Sequence, residues 1–160
     1  MHPARDAERA PRGNPAAPGP TGRADTGPVP TPTRCPCLSG LPYDECCGPL
    51  HRRERTAPTA EALMRSRYSA FAVGDAGYLL ATWHPATRPA SLDLDDTTAW
   101  RRLDVLATDG GGPFDTTGTV EFRASYSDPG GRGSLHEVSR FVREDGAWTY
   151  VDGSIDPGRD

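Results

Sequence analysis

The chain has 160 residues with a formal net charge of -4, and 35% of its residues are hydrophobic, which suits one domain with a single core. This acidic balance argues against a DNA-binding domain, which would normally be strongly basic. No stretch approaches the roughly 18 consecutive apolar residues of a membrane span, and the N-terminus lacks the apolar core of a signal peptide, so we expect a cytoplasmic protein that does not enter a membrane.

The N-terminal segment, residues 1–33, is rich in proline, alanine, glycine and arginine and contains almost no large apolar side chains. Such a segment cannot bury enough apolar surface to offset the entropy that it would lose on ordering. We therefore predict a disordered tail, which is either dispensable or used to bind a partner.

Four cysteines crowd into the next segment in the pattern C-x-C-x8-C-C. They are Cys35, Cys37, Cys46 and Cys47. Four thiolates match the tetrahedral coordination of zinc, and a serine, a glycine and a proline in the loop supply the turn that brings the two pairs together. Four sulfur ligands leave no open position for water, as is typical of structural zinc sites. We predict a zinc knuckle over residues 34–52.

Two other states of these cysteines remain open, namely two disulfides or four unligated thiols. Vicinal cysteines such as Cys46 and Cys47 rarely bridge each other without strain, and a reducing cytosol opposes bridges across the loop. His51 could replace one cysteine as a ligand, or it could lie at the surface or behind the ligands.

Two amphipathic helices are predicted next. The first covers residues 59–73, with Thr59 as its N-cap and Gly74 as its end. The second is capped by Asp75 and ended by Pro85. Their apolar stripes are Leu63, Met64, Tyr68 and Phe71 in the first helix and Tyr78, Leu79 and Trp83 in the second.

The hydrophobic period changes from that of a helix to that of a strand near residue 100. Before the change, a serine followed by aspartates predicts a last helical turn over residues 91–100. Alternating apolar residues then predict four strands, beginning at residue 101 and over residues 118–127, 134–143 and 147–155. Glu144-Asp145-Gly146 is a turn signal that joins the last two as a hairpin. This order indicates an α+β domain, with helices covering one face of a curved antiparallel sheet.

The cysteine segment closely resembles the SEC-C motif found at the C-terminus of the preprotein translocase ATPase SecA. The residues that carry the resemblance are Cys35-Pro36-Cys37-Leu38-Ser39-Gly40, Tyr43, Cys46-Cys47-Gly48 and His51. In SEC-C regions the last ligand pair can be Cys-His, whereas this chain has Cys-Cys, so its ligand set is entirely sulfur.

A longer stretch resembles the uncharacterised bacterial YchJ family. It reads Ala-Pro-Thr-Ala-Glu-Ala-Leu-Met-Arg-Ser-Arg-Tyr-Ser-Ala-Phe over residues 57–71, and further similar segments lie within residues 78–85, 118–122, 136–141 and 148–153. The resemblance implies a cone-shaped domain like nuclear transport factor 2 (NTF2) over residues 57–156, in which helices pack on a strongly bent antiparallel sheet. It implies little about function.

The knuckle is the most specific functional feature of the sequence. Its resemblance to SEC-C segments implies a compact surface that contacts protein or ribosomal partners. Five arginines lie close behind it: Arg52, Arg53, Arg55, Arg65 and Arg67. This basic run could contact an acidic protein or RNA phosphates, or it could consist of solvated helix and loop residues. We expect a zinc-binding accessory or adaptor protein without catalytic residues, and we leave its oligomeric state open.

The alternative function is that of a small-molecule isomerase, dehydratase or hydrolase that uses the cone interior, as other cone folds do. The candidate groups are Tyr68, Trp83, His84, Glu121, Arg123, His136 and Glu137. Glu121 and Arg123 share a strand face that is either the cone interior or a solvated surface, whereas His136 and Glu137 point to opposite faces. No pair among these groups has a spacing that dictates a reaction.

Overall fold

The structure, a computed structural model, describes residues 33–155. Residues 1–32, which make up nearly all of the predicted disordered tail, and residues 156–160 lie outside the described part. Within it, a 3-10 turn (Tyr43–Glu45) and three helices precede four strands. The helices are α1 (Cys47–His51), α2 (Ala60–Val73) and α3 (Ala76–Ala81), and the strands are β1 (Ala99–Gly110), β2 (Thr117–Asp128), β3 (Gly131–Glu144) and β4 (Ala147–Ile155). This order confirms the predicted α+β class. None of these helices is long and apolar enough to cross a membrane.

Helix α2 has the predicted caps. The Thr59 hydroxyl accepts a hydrogen bond from the backbone N–H three residues further on, at 3.0 Å, and Gly74 ends the helix with a left-handed φ of 81°. Three members of the predicted stripe are buried, Leu63, Met64 and Tyr68, while Phe71 is 37% exposed. The helix is therefore held over the sheet by its apolar stripe, with Phe71 near its margin.

Helix α3 is shorter than predicted. Asp75 caps it as expected, but the helix ends at Ala81, so Trp83 lies beyond it and the predicted extension to the proline is wrong. The backbone N–H and C=O of Tyr150 bond to the residues on either side of Trp83, each at 2.8 Å. Pairing with β4 therefore replaces the last turn of the predicted helix and brings Trp83 against the sheet.

The helical turn predicted over residues 91–100 is also wrong. This segment is irregular before it enters β1. The Asp95 carboxylate accepts hydrogen bonds from the N–H and hydroxyl of Thr97 and from the hydroxyl of Thr98. Local bonds of this kind give the backbone an alternative to a helix, which explains the difference.

The four strands form one antiparallel sheet in the order β1-β2-β3-β4. The predicted hairpin turn is present: Asp145 and Gly146 have φ values of 53° and 81°, as a two-residue type I′ turn requires. Register shifts interrupt the pairing of β1 with β2 near Trp100 and Val105, and that of β3 with β4 near Phe141. Irregularities of this kind bend a sheet, so the strands curve around the helices.

The core lies between α2 and the concave face of this sheet. On β2 the buried residues alternate as predicted, since Val120, Phe122 and Ala124 are 0%, 8% and 2% exposed. Phe141 of β3 and Trp148 of β4 are buried as well. Burial of a large apolar side chain stabilises the fold by roughly 1.5–3 kcal/mol, so this face fixes the helix against the sheet.

Candidate metal centre and cone cavity

The four predicted cysteine ligands converge on one point. Their sulfur atoms all lie within 4.8 Å of one another. The sulfur of Cys46 is 3.5 Å from that of Cys37 and 3.9 Å from that of Cys47, and all four cysteines are free of disulfide bonds. Tetrahedral zinc with Zn–S bonds of about 2.3 Å would hold its ligands about 3.8 Å apart, so the residues present fit such an ion.

Two local conformations bring the cysteine pairs together. Leu38 and Gly40 adopt positive φ of 67° and 93°, which turns the chain directly after the first pair. The second pair lies where the 3-10 turn meets α1, and Gly48 permits this close approach because a Cβ there would lie 2.8 Å from the Tyr43 carbonyl oxygen. The backbone therefore closes the loop around the sulfurs.

The cysteine thiols share hydrogen bonds, which shift their pKa values in opposite directions. Hydrogen bonds from Cys37 and Cys47 hold the pKa of Cys35 well below its usual range. The same sharing with Cys35 raises the pKa of Cys37 to about 11 and raises the pKa of Cys47 as well. Crowded sulfurs of this kind ionise together when a positive charge lies among them, and a divalent metal ion would supply that charge.

His51 lies behind the cluster and joins the knuckle to α2. Its Nε2–H donates to the Ser66 carbonyl at 2.8 Å, since a carbonyl can only accept, and its Nδ1 accepts from the Tyr43 hydroxyl. The ring packs against the rings of Tyr43 and Tyr78. Both ring nitrogens are thus engaged by protein groups, which makes His51 a support of the knuckle.

Two residues of α2 reach the cysteine loop directly. The Arg65 guanidinium donates to the Cys37 carbonyl at 3.1 Å, and the Ser69 hydroxyl lies 3.5 Å from the Cys35 sulfur. The cysteine loop is therefore seated on the same helix that covers the sheet.

The basic run behind the knuckle does not form one patch. Arg52 pairs with two acidic neighbours, the nearer at 2.8 Å, and Arg65 pairs with a glutamate one turn earlier in α2. Arg67 is buried in the cone. Arg53 and Arg55 are exposed, and no carboxylate of residues 33–155 lies within salt-bridge distance of either. Of the five arginines, only Arg53 and Arg55 are thus exposed and without an acidic partner among residues 33–155.

Two apolar side chains of the cysteine loop are exposed. Leu38 and Leu41 are 54% and 48% exposed, although their neighbours in the loop are tied to the cysteines. We refer to these two side chains as the knuckle tip. They present apolar surface on a segment whose backbone is already ordered.

A cavity of about 210 Å³ lies between α2 and the concave face of the sheet. Much of its wall is aromatic and includes Tyr68, Phe71, Trp100, Phe122 and Phe141. The Arg67 guanidinium also lines it, at 4.6 Å from the centre of the Tyr150 ring and 5.1 Å from that of the Trp83 ring. Cation–π contacts of this kind partly offset the cost of burying the charge.

The polar groups of the cavity belong to two sets. In the first, Arg67 Nη1 donates to the Leu79 carbonyl and the Thr82 hydroxyl, each at 2.7 Å. Burial lowers the pKa of Arg67 to about 10, so the group stays charged at neutral pH.

In the second set, the Glu137 carboxylate accepts from the Ser139 hydroxyl at 2.8 Å and from the Tyr150 hydroxyl at 3.2 Å. Burial, together with the neighbouring Glu137 charge, raises the pKa of Tyr150, which keeps its phenol protonated. Gly153 leaves room for this carboxylate, because any Cβ there would collide with Glu137.

The candidate polar groups of the sequence lie in three places. Tyr68, Trp83 and Glu137 line the cavity. Glu121 and His136 pair at 2.7 Å on the opposite face of the sheet, which Arg123 shares. His84 lies 3.2 Å from Glu144 at the sheet edge. The predicted placement of His136 and Glu137 on opposite faces is confirmed by the register of β2 and β3.

Sequence reasoning missed Arg67 and Tyr150 as members of the cavity. A signal for Arg67 was available, because it stands four residues after Leu63 and four before Phe71, on the apolar stripe of α2. Tyr150 gave no comparable signal, since its neighbour Glu137 comes from another strand.

The fold and the cysteine site together define a SEC-C knuckle joined to an NTF2-like domain. Sequence comparison agrees: the SEC-C motif matches residues 33–49, and the YchJ middle NTF2-like domain matches residues 59–153. The chain belongs to the YchJ family, whose curated relatives are called UPF0225 proteins.

Similar proteins cover the same region. A UPF0225 protein from Streptomyces coelicolor is 60% identical over 79% of this chain and 98% of its own, and one from Corynebacterium glutamicum is 55% identical over 77% and 98%. The solution structure of a SEC-C motif containing protein from Rhodopseudomonas palustris superposes with a TM-score of 0.66 at 39% identity, covering 75% of this chain and 96% of that one. A crystal structure from Psychrobacter arcticus gives a TM-score of 0.63 at 31% identity, covering 76% and 82%.

Proposed function

We propose that this chain is a zinc-binding accessory or adaptor protein of the cytoplasm that contacts a protein or ribosomal partner through its knuckle. The observation that carries the proposal is the convergence of four cysteine sulfurs at distances suited to one tetrahedral ion. A coordination sphere filled by sulfur leaves no position for substrate, so the role of the ion is to hold the loop in shape.

Zinc is the metal that the donor set favours. Thiolates prefer zinc, copper(I) and iron–sulfur clusters, and four thiolates around one tetrahedral point are typical of structural zinc. Cys35, Cys37 and Cys47 are 1%, 0% and 2% exposed, which would shield a bound ion from competing ligands. Cys46 is the most accessible of the four and would be the first sulfur to exchange.

The knuckle tip is the part of this surface best suited to a partner. A partner that covers Leu38 and Leu41 would remove their apolar surface from water. The backbone there would lose little conformational entropy on binding, because the metal loop already fixes it. Arg53 and Arg55 lie on the following segment and would steer an acidic protein or an RNA phosphate toward it. The partner contact thus combines an apolar centre with a small basic rim.

Paired substitutions test this contact. The exchange Leu41→Ser should abolish recovery of a partner that the wild-type protein captures from cytosolic extract, because it removes half of the apolar tip. Leu106→Ser is the matched control, since Leu106 is 47% exposed on β1, outside the knuckle, against 48% for Leu41. Equal recovery by the Leu41 variant, with unchanged zinc content, would contradict the partner proposal while leaving the zinc proposal intact.

A further inference from the structure

We propose that the cone cavity is a binding site for a small organic anion, with its charged group on Arg67 and an aromatic or apolar body against the cavity walls. This site is separate from the knuckle, and its test is independent of the proposed zinc and partner functions. Some hydrogen-bonding groups of the cavity find no partner within residues 33–155.

Two residues of the cavity carry donors that have no acceptor among the described residues. Arg67 is 6% exposed, and its Nη1 is satisfied, but no atom of residues 33–155 accepts a hydrogen bond from its Nε or Nη2. Trp83, which lines the same cavity, has a buried indole N–H without an acceptor in that part of the chain. The two residues are neighbours in the cavity, because the Arg67 guanidinium lies 5.1 Å from the centre of the Trp83 ring. A donor without an acceptor inside a protein is costly, more so when it is charged.

Glu137, the acid of the cavity, does not pair directly with Arg67. Its Oε2 accepts from two hydroxyls, and no hydrogen bond or salt bridge joins it to Arg67 within the described residues, so its charge acts on the guanidinium only from a distance. The remaining demand is therefore for an acceptor, and a carboxylate or similar oxyanion suits a planar guanidinium best. Glu137 at the same time disfavours ligands that carry a second negative charge nearby, so we infer a monoanion.

The rest of the cavity selects the body of the ligand. Its wall is formed largely by aromatic rings of α2, β1, β2 and β3, among them Phe71, Trp100 and Phe122. Aromatic rings favour edge-to-face or offset contact with another ring, and they exclude water from the ion pair. At about 210 Å³ the space suits a small molecule, of the size of a single substituted ring.

Indole resonances give a direct test on the intact protein. Sodium benzoate is titrated into the ¹⁵N-labelled full chain, with neutral benzamide as the matched probe of the same shape. The indole N–H signals of Trp83 and Trp100, which line the cavity, should shift with benzoate. That of Trp148 should not, because it donates to the Pro58 carbonyl at 3.3 Å outside the cavity. Benzamide should bind at least about tenfold more weakly, since it cannot form the charged hydrogen bonds.

Two variants then assign the charge. Arg67→Met should remove the preference for benzoate over benzamide. Glu137→Gln keeps an oxygen for Ser139 and Tyr150 and should tighten benzoate binding, because it removes a like charge. This variant tests the role of charge even if the arginine variant fails to fold. The proposal is overturned if benzoate leaves Trp83 and Trp100 unshifted, if benzamide binds equally well, or if Glu137→Gln leaves benzoate affinity unchanged or weaker.

Discussion

Individual side chains decide how the knuckle and the cone are joined. His51 and Arg65 each connect the cysteine loop to α2, the first through both ring nitrogens and the second through a carbonyl of the loop. His51 is 8% exposed and packs against two tyrosine rings. It therefore contributes to stability through packing and hydrogen bonds, whether or not the cysteines hold an ion.

Removal of this imidazole should destabilise the protein. His51→Ala should lower the free energy of unfolding by about 2–4 kcal/mol, because it leaves a cavity, and it frees the Ser66 carbonyl and Tyr43 hydroxyl from their partners. Zinc content should stay close to that of the wild type. Chemical denaturation measures the first quantity and metal analysis the second.

His84 supplies the control. It is more exposed and pairs with a glutamate that is itself 64% exposed, so His84→Ala should change stability by less than about 1 kcal/mol. A His51 variant that loses its zinc and keeps its stability would show instead that the imidazole belongs to the metal site.

The junction of β1 and β2 depends on close backbone contact between a glycine just after β1 and a glycine within β2. Gly111 and Gly118 face each other where β1 gives way to β2, and a Cβ on Gly118 would lie 2.5 Å from the Gly111 Cα. The Gly111 carbonyl also accepts the Ala60 N–H at 2.9 Å, at the start of α2. This contact therefore connects the sheet to the helix that carries Arg67.

We predict opposite effects of alanine at two glycines. Gly118→Ala should destabilise the protein by about 2 kcal/mol or more, since rigid backbone has to move. Gly77→Ala should stabilise it by up to about 1 kcal/mol, because Gly77 is inside α3 and its Cβ would meet its nearest neighbour at an ordinary 3.6 Å. Thermal unfolding of both variants distinguishes the two cases, and equal shifts of the same sign would contradict the contact.

The elements that sequence patterns predicted best are those controlled by local chemistry. The caps Thr59 and Gly74, the alternation along β2 and the Asp145-Gly146 turn all follow from short-range rules, and all are present. The end of α3 could not be predicted from local rules, because it depends on pairing with Tyr150, far away in the chain. The convergence of the cysteines was indicated by their spacing, whereas the cavity depends on side chains from separate elements and could not be read from spacing.

At the scale of the whole molecule, the knuckle and the cone have distinct cores. The buried cysteines form one small cluster with Tyr43, while the cone core is formed by α2, α3 and the sheet together with Leu50 of α1. Contacts between the two run mainly through α1 and α2. The cone therefore has its own source of stability, whereas the knuckle depends on its contacts with α2 and, under the proposed function, on sulfur ligation of a metal ion.

Metal removal should destabilise the knuckle and leave the cone folded. A strong chelator should release the zinc and expose the amides of residues 35–47 to hydrogen exchange, because this polar loop has little apolar burial of its own. Amides of β2 and β3 should keep their protection. Loss of protection throughout the sheet would mean that the ion stabilises the whole chain, and unchanged protection in the loop would mean that the thiols alone hold it.

The most direct test of the account is the metal content of the purified full-length protein, measured by elemental analysis together with a titration of its accessible thiols. We predict one zinc per chain and thiols that react only slowly until a chelator is added, when all four become available. The matched variant in which Cys37 is replaced by serine should retain much less zinc. A folded, metal-free protein with four freely reactive thiols would contradict the account.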